Sequence, residues 1–595
     1  MANDPSRVFD RLIGLETEYA IRFHPSDSTA PPLNKYGLYV ALRAELQRRI
    51  PTVPAKHFKE GVFTATGGAV WFEAERPSAG GGLIEGTTPE CRGPHQTIVY
   101  QRALDRMLAA SAQAARVDGQ FCLIKNDRDS RDNIYGAQEN YESILATGLR
   151  LLLWRVGLVL IFPLAAVTWV GILLSVIATL AYFALAGLIY LPIKLMTGGR
   201  QSLALFLFGR DLTEGRDTCI HVPVWLETSL QFATRALTAP LAAALYGLLS
   251  AVAFCRIRRL MLPFLVSRPI IAGAGTVDAA GRFQVSDKAP AINCVLGFGG
   301  MLFDRPIFSM GHFFKVAYAE SWFSPRRYFE LFASRHRLQI ALGDSNMCEP
   351  AEFLRVGMTA LVLDAIEAGA IQSCPRIRRP IQALHTFCAD PTLQATVVLK
   401  PPFMKMGSRA SALEVQRFYL DACRAFLNTR PEAPAEAWEV VHLWEQFLEE
   451  LTELSGGADP EKLIGKLDWV TKKYLIERVV CDWAESKKVD IRYHELSPEG
   501  YYQMLVESGL TTSVVQPEEI ERALRSAPPD SPATTRGHYI REFAFGDQPV
   551  RANWKSIVIG RGWEARVIRL GRYGRVSEPA TTWWRLRRRN QAKQR

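Results

Sequence analysis

The sequence predicts an α+β protein, a water-soluble mixture of strands and helices interrupted midway by a membrane insertion. Three observations carry this. Apolar residues make up 48% and charged residues 22% of 595 positions, enough to bury a sizeable core. Short β-like runs (Ala69–Phe72, Leu338–Leu342, Asp490–Tyr493) alternate with amphipathic helices (Ala351–Ala368, Trp438–Leu451). And 38 residues from Val156 to Ile193 carry no charge. At 1.5 Å rise per residue that run is about 57 Å long, close to two crossings of a roughly 30 Å hydrocarbon core.

The elements follow in chain order. Length alone suggests about three to four domains. The opening MANDPSRVFDRLIGLETEYA has no apolar core of the kind a cleavable signal needs. A flexible stretch, RPSAGGG, follows at 76–82. The 156–193 run is expected to fold as a helical hairpin at 150–195, turning near Thr168–Ser175, although no strong turn residue stands there. That arrangement keeps Arg150, Arg155, Lys194, Arg200, Arg210 and Arg216 on the cytoplasmic side. A second uncharged run, 236–255, reads equally as a span or as a buried or interfacial helix. The 351–368 helix stops at Gly369, and the 438–451 helix runs into SGGADP. APPDSP at 527–532 reads as a linker. The tail, TTWWRLRRRNQAKQR, suits either an anionic lipid surface or a solvated, disordered end.

Ten scattered cysteines without a C-x-x-C pair exclude a disulfide scaffold, disfavour a cysteine zinc site and fit a reducing compartment. A net charge of +11 points to an acidic partner or anionic membrane face, not to nucleic acid in particular. There is no P-loop, G-x-G-x-x-G, G-x-S-x-G or H-E-x-x-H. What remains is carboxylates on strand-like segments. Glu16 and Glu18 share a strand face by the period of two, Phe63–Cys91 adds Glu73, Glu75, Glu85 and Glu90, and Ile134–Glu142 adds Glu139. Converging acids repel unless magnesium neutralises them, as phosphoryl transfer from ATP requires. On spacing alone, solvated strand-face glutamates are the simpler reading.

Eight blocks in order (GLETEYA, FTATGG…WFE…TTPEC, YGAQENYE, LPFLVSRPIIAGAGTV, RPI, HRLQIALGDSNM, DIRYHE, NWKSIVI) resemble the family of Pup ligase and Pup deamidase/depupylase. They run from residue 11 to about 560 and skip roughly 145–240. The resemblance implies a glutamine synthetase-like curved antiparallel sheet whose concave face holds ATP and Mg²⁺. It implies a discontinuous catalytic domain (1–146 and 241–526), an inserted transmembrane segment (147–240) and a small C-terminal domain (527–595). It further implies magnesium ligation by Glu16 and Glu85 with Glu139 as a third metal candidate, and Glu73 in place of a catalytic aspartate. Thr88, Trp554 and Trp71 would contact the nucleotide. Arg268 and Arg305 would hold phosphate or a substrate carboxylate, if they are not merely structural. The two halves of one site flank the insertion, so the number of crossings must be even.

The implied reaction is that of an ATP-dependent carboxylate–amine ligase. It phosphorylates the C-terminal glutamate side chain of a small Pup-like modifier and joins it to a target lysine, at a membrane, with the catalytic domain in the cytoplasm. Several positions depart from the pattern: Glu73 for aspartate, Ala69 for an arginine, Trp71 for a tyrosine, Gln138 and Gln339 for histidines, and extra residues between Glu73 and Glu85. They leave two alternatives, a deamidase or isopeptidase on the same scaffold, and an inactive membrane-tethered binding paralogue.

Overall fold

The computed structural model describes residues 8–577 apart from 27–32, 57–59, 74–80, 130–132, 198–200, 210–221, 300–303, 480–481, 563–564 and 573–575. The expected flexible stretch at 76–82 lies largely outside the described residues, and the basic tail lies wholly outside them. An eleven-stranded sheet organises the molecule: β1 (Leu12–Pro25), β2 (Thr52–Pro54), β3 (Gly61–Thr64), β4 (Ala69–Glu73), β5 (Leu83–Thr87), β6 (Cys91–Arg92), β7 (Gly119–Ile124), β8 (Gln138–Ile144), β9 (Cys294–Gly297), β10 (Pro306–Ser309) and β11 (Arg335–Ile340). The order is β9-β10-β11-β8-β1-β5-β4-β3-β2, with β6 and β7 also on β1. Every pair is antiparallel except β9 with β10.

β1 sets the two faces. Ile13, Leu15, Thr17 and Tyr19 are buried, while the alternate positions, Glu16 and Glu18 among them, are only partly covered. The buried side is roofed by the helices α1 (Gly93–Gln113) and, further along the chain, α8 (Glu349–Glu367). α8 extends the expected 351–368 helix by two residues at its start, and the expected 438–451 helix runs Ala435–Ser455. Asp490–Tyr493 is not a strand but the end of a helix, Trp483–Tyr493. Asp482 caps that helix by accepting from the Glu485 N–H, and Lys487 pairs with Asp490 one turn on at 2.7 Å, so the local β-like composition loses to capping and an i,i+3 pair.

The 150–195 hairpin is corrected too. Residues 148–197 form one unbroken helix, α2 (Gly148–Thr197), about 75 Å long. The hydroxyls expected near the turn bond back into the helix: Thr168, Ser175 and Thr179 donate to Leu164, Gly171 and Ser175 carbonyls at 2.8 Å, so they need no turn to satisfy them. The chain reverses later, through α3 (Gln201–Phe208) and α4 (Val224–Val252). α4 returns along α2, with Leu248 over Gly157 and Leu237 over Gly171; a Cβ at either glycine would lie 2.5 Å from its leucine. Both ends of the insertion thus return to the body, where the Phe254 N–H donates to the Leu145 carbonyl at 2.7 Å.

The stem of this helical pair is core: Trp154, Leu158, Ile161 and Ala165 of α2 and Leu241, Leu245 and Leu249 of α4 are buried with the body. Beyond Trp169, α2 carries 24 uncharged residues, about 36 Å, most with exposed apolar side chains. α2 and α4 are the two helices, among the described residues, long and apolar enough to cross a membrane. The projecting part of α4 is the more polar, with Glu227, Gln231 and Arg235 on it.

A strap packs against the stem: α5 (Gly311–Lys315), a π-turn (Val316–Glu320), α6 (Ser321–Phe323) and α7 (Arg326–Glu330). The 527–532 segment is largely packed and leads into α9 (Pro532–Phe543). A four-stranded sheet follows, β12 (Val550–Ala552), β13 (Ser556–Ile559), β14 (Arg566–Leu570) and β15 (Val576–Ser577).

Candidate active site

Register puts the acids together. Glu18 of β1 stands opposite Glu85 of β5, and Glu85 opposite Trp71 of β4, so the three share the less covered face. Two residues on from Trp71, Glu73 lies on the same face, and Glu16, opposite Thr87 and Gln138, continues it. Burial pushes the Glu18 carboxyl up to about 7; the charges of Glu85 and Glu73 add to this, while Lys288 and the Gly136 N–H, which donates at 2.8 Å, oppose it. Glu18 is therefore the centre of a crowded acidic group.

Glu16 is held differently. Arg337 of β11 donates to one carboxylate oxygen at 3.0 Å and the Gln339 amide to the other at 3.3 Å, and Gln339 also donates to the Gln138 oxygen. The two glutamines that depart from the family pattern are thus direct neighbours. Lys288, whose ammonium donates to the Ala137 carbonyl at 2.6 Å, adds a cation beside Glu18.

The C-terminal elements reach over this face. The Phe63 and Trp554 rings meet edge-on at 4.9 Å, and Phe63 meets Trp71 at 5.7 Å. Arg536 of α9, fully buried, lies 4.8 Å from the Trp554 ring, donates to the Gly67 carbonyl at 2.9 Å and pairs with Glu90. Position 67, at φ +88, admits only glycine, because a Cβ would meet Ala533 at 2.6 Å. Lys555 pairs with Glu330 of the strap, and Arg572 with Glu142 of β8 at 2.7 Å.

Three expected roles, those of Glu139, Arg268 and Thr88, are corrected. Glu139 lies opposite Leu15, on the helix-covered face, because it is one residue out of phase with Gln138. There Arg268 grips it with two bonds at 2.7 and 2.9 Å, and the Tyr141 hydroxyl donates at 2.8 Å. Burial opposes its ionisation, but Arg268 and Arg355 more than offset this and hold its carboxyl below the ordinary range. Arg268, with Glu139 and Thr359, is therefore a core residue and not a phosphate clamp. Thr88 is buried, its hydroxyl accepting from the Leu15 N–H at 3.0 Å, which makes it a clasp between strands. Arg305 is exposed and donates to the Ile134 carbonyl at 3.1 Å, two residues from Gly136, whose N–H meets Glu18. Conversely, the sequence marks Glu18 only as sharing a strand face with Glu16 and assigns it no role, and Arg337, Lys288 and Arg536 are not singled out at all. Period-two spacing pairs Glu18 with Glu16 and Arg337 with Gln339; nothing local signals Lys288 or Arg536.

A divalent cation would fit between Glu18 and Glu85, direct cross-strand partners whose mutual repulsion it would relieve. Among the described residues no three His, Cys, Asp or Glu side chains close a metal cage unaided. Mg²⁺ accepts that condition, since it keeps waters and phosphate oxygens as ligands.

Residues 11–558 match the family model described as Pup-ligase protein. The chain belongs to the Pup-ligase family. Relatives include a depupylase of Acidothermus cellulolyticus, 31% identical over 51% of this chain and 58% of its own length. A Pup deamidase/depupylase of Mycobacterium tuberculosis is 30% identical over 52% and 58%. This chain therefore matches just over half the length of these Pup-ligase family members. A Pup–protein ligase of Corynebacterium jeikeium is 26% identical over 89% of this chain and 88% of its own. Among solved structures, Pup ligase PafA in complex with Pup gives a TM-score of 0.63 at 20% identity, covering 96% of this chain and 90% of that one. PafA with ADP gives 0.56 at 20%, covering 93% of each. The Pup-ligase fold thus extends over nearly the whole chain, and the mixed α/β architecture with its large sheet is that fold.

Proposed function

We propose that this protein is an ATP-dependent ligase that joins the C-terminal glutamate of a small Pup-like modifier to lysines of target proteins, attached to a membrane through α2 and α4. The observation that carries the ligase reading is the gathering of Glu18, Glu85 and Glu73 on one sheet face beside the Trp71–Phe63–Trp554 aromatic row. A relative named Pup–protein ligase that aligns along nearly the full chain supports it.

In this reading an oxygen of the modifier's glutamate carboxylate attacks the γ-phosphorus of ATP, and ADP leaves. The lysine nitrogen then attacks the acyl carbon and phosphate leaves. The lysine is an ammonium at neutral pH, so a carboxylate must take its proton; Glu73, the partly covered last residue of β4, has that role. Arg337 and Lys288 supply positive charge along the face where phosphoryl oxygens gather, and Trp554 offers a ring for the adenine. Mg²⁺, when bound between Glu18 and Glu85, would supply the remaining neutralisation of phosphate charge.

Attachment to lipid rests on the 24 uncharged residues of α2 beyond Trp169 and their exposed apolar side chains. The return of both ends of the insertion to the body fits an even number of crossings, and a site that consumes ATP belongs on the cytoplasmic side. A second reading, removal of such a modifier by hydrolysis, is favoured by the 30–31% identity to depupylases. One assay separates the two. With purified protein, ATP, modifier and a lysine acceptor, the ligase reading expects conjugate and ADP in step. A preformed conjugate cleaved without ADP formation would establish the hydrolase instead.

A further inference from the structure

The strap running from α5 to α7 climbs and descends the stem of α2. Its rising limb starts where Phe313 meets the Trp154 ring edge-on at 5.7 Å and reaches Ala317, whose carbonyl accepts the Trp169 indole N–H at 2.9 Å. Its falling limb returns through Tyr328, which donates to the Leu158 carbonyl at 2.7 Å, to Leu331, whose carbonyl accepts the Trp154 indole N–H at 2.7 Å. The strap therefore ends, at its upper side, where the 24 uncharged residues of α2 begin. Those residues measure about 36 Å against a hydrocarbon core of about 30 Å, so a bilayer that accepts them has its near surface at the strap. The strap is composed for that place: Phe329 is 63% exposed, Arg326 beside it is exposed, and Trp322 and Tyr318 are half-buried.

The falling limb leads directly into the site. Leu331 also takes the His336 imidazole nitrogen at 3.1 Å, and the next residue, Arg337, holds Glu16. Arg337 lies six positions beyond Leu331, about 20 Å at most if extended, and the stem from Trp154 to Trp169 adds about 22 Å. The acidic face is thus fixed within about 40 Å of the bilayer surface. Lys555 ties the segment carrying Trp554 to Glu330 at the end of α7.

Resting on the ligase and membrane readings above, we infer that the strap lies in the lipid headgroup layer and that the acceptors of this site are lysines of proteins held at the membrane surface. Confining enzyme and acceptor to one surface raises their effective concentration without any new contact.

The test uses the full chain in phosphatidylcholine/phosphatidylglycerol vesicles with ATP, a glutamate-terminated modifier and one lysine-bearing acceptor protein, either free or lipid-tethered at equal bulk concentration. Modification of the tethered form about tenfold faster or more, with the advantage lost in detergent micelles, is expected. Equal rates on vesicles overturn the inference while leaving the ligase reading intact. No modification of either form, in vesicles or detergent, overturns the ligase reading and the acceptor class with it. Independently of activity, a photoreactive diazirine residue at position 329 is expected to form lipid adducts. Adducts to protein or water alone overturn the headgroup placement.

Discussion

Glu18 and Glu85 face each other across β1 and β5, and burial together with that opposition leaves the Glu18 carboxyl half-protonated near neutrality. Its ordinary value is 4.5 and its folded value about 7, so in the absence of a cation the folded state gains stability from the bound proton in acid and loses it as pH rises through 7. Magnesium prefers the ionised form. Calorimetry in buffers of different ionisation enthalpy is therefore expected to find close to one proton released per Mg-nucleotide bound at pH 6 and much less at pH 8. Glu18→Gln abolishes the release and stabilises the cation-free protein at pH 8, by at most about 3 kcal/mol.

Removing the base leaves binding intact. Glu73→Ala is expected to lower the conjugation rate at least 100-fold while the affinity for Mg-ATP changes less than about threefold. Single-turnover conjugation and nucleotide titration separate the two quantities; an unchanged rate would remove Glu73 from the chemistry.

The Arg268–Glu139 pair is structural and should behave so. Arg268→Ala strips the buried Glu139 of both guanidinium bonds, leaving only Arg355 at 3.8 Å and the Tyr141 hydroxyl, and is expected to cost about 3 kcal/mol. The double replacement Arg268→Met with Glu139→Leu recovers much of that loss and keeps Mg-ATP binding, a result that thermal unfolding and calorimetry together can check. Loss of nucleotide binding in a folded double variant would return Glu139 to the site.

Arg536 holds the Trp554 segment to the β3–β4 turn. Arg536→Ala is expected to weaken ATP binding about tenfold or more by releasing that ring, whereas Trp554→Phe keeps a stacking surface and costs less. The order of the two nucleotide affinities is the measurement. Reversed, it would mean that the ring itself and not its anchorage governs binding.

Much of this site is legible in the sequence because strands alternate. GLETEYA places Glu16 and Glu18 together, and WFE places Glu73 with Trp71, before any register is known. Pairing is not legible in the same way. Glu139 sits one residue from Gln138, and only the register Leu15 with Glu139 reveals that it faces the helices. Arg337 reaches Glu16 across 321 positions of sequence, and Arg536 reaches Gly67 across 469; no local pattern reports either contact. The unbroken helix at 148–197 escaped notice for another reason. Its length suggested two crossings, whereas its serines and threonines are satisfied within one helix and leave nothing to nucleate a turn.

The crossing of α2 and α4 at Gly171 and Leu237 marks where this molecule can be shortened. Below that level Trp154, Leu241 and Leu245 plug the interior, so excising the whole insertion, although Leu145 and Phe254 already touch, would leave a hole in its place. Joining the two helices by a brief connector just above Gly171 retains the plug and discards the exposed apolar extension, and such a variant is expected to stay folded with its sheet face intact.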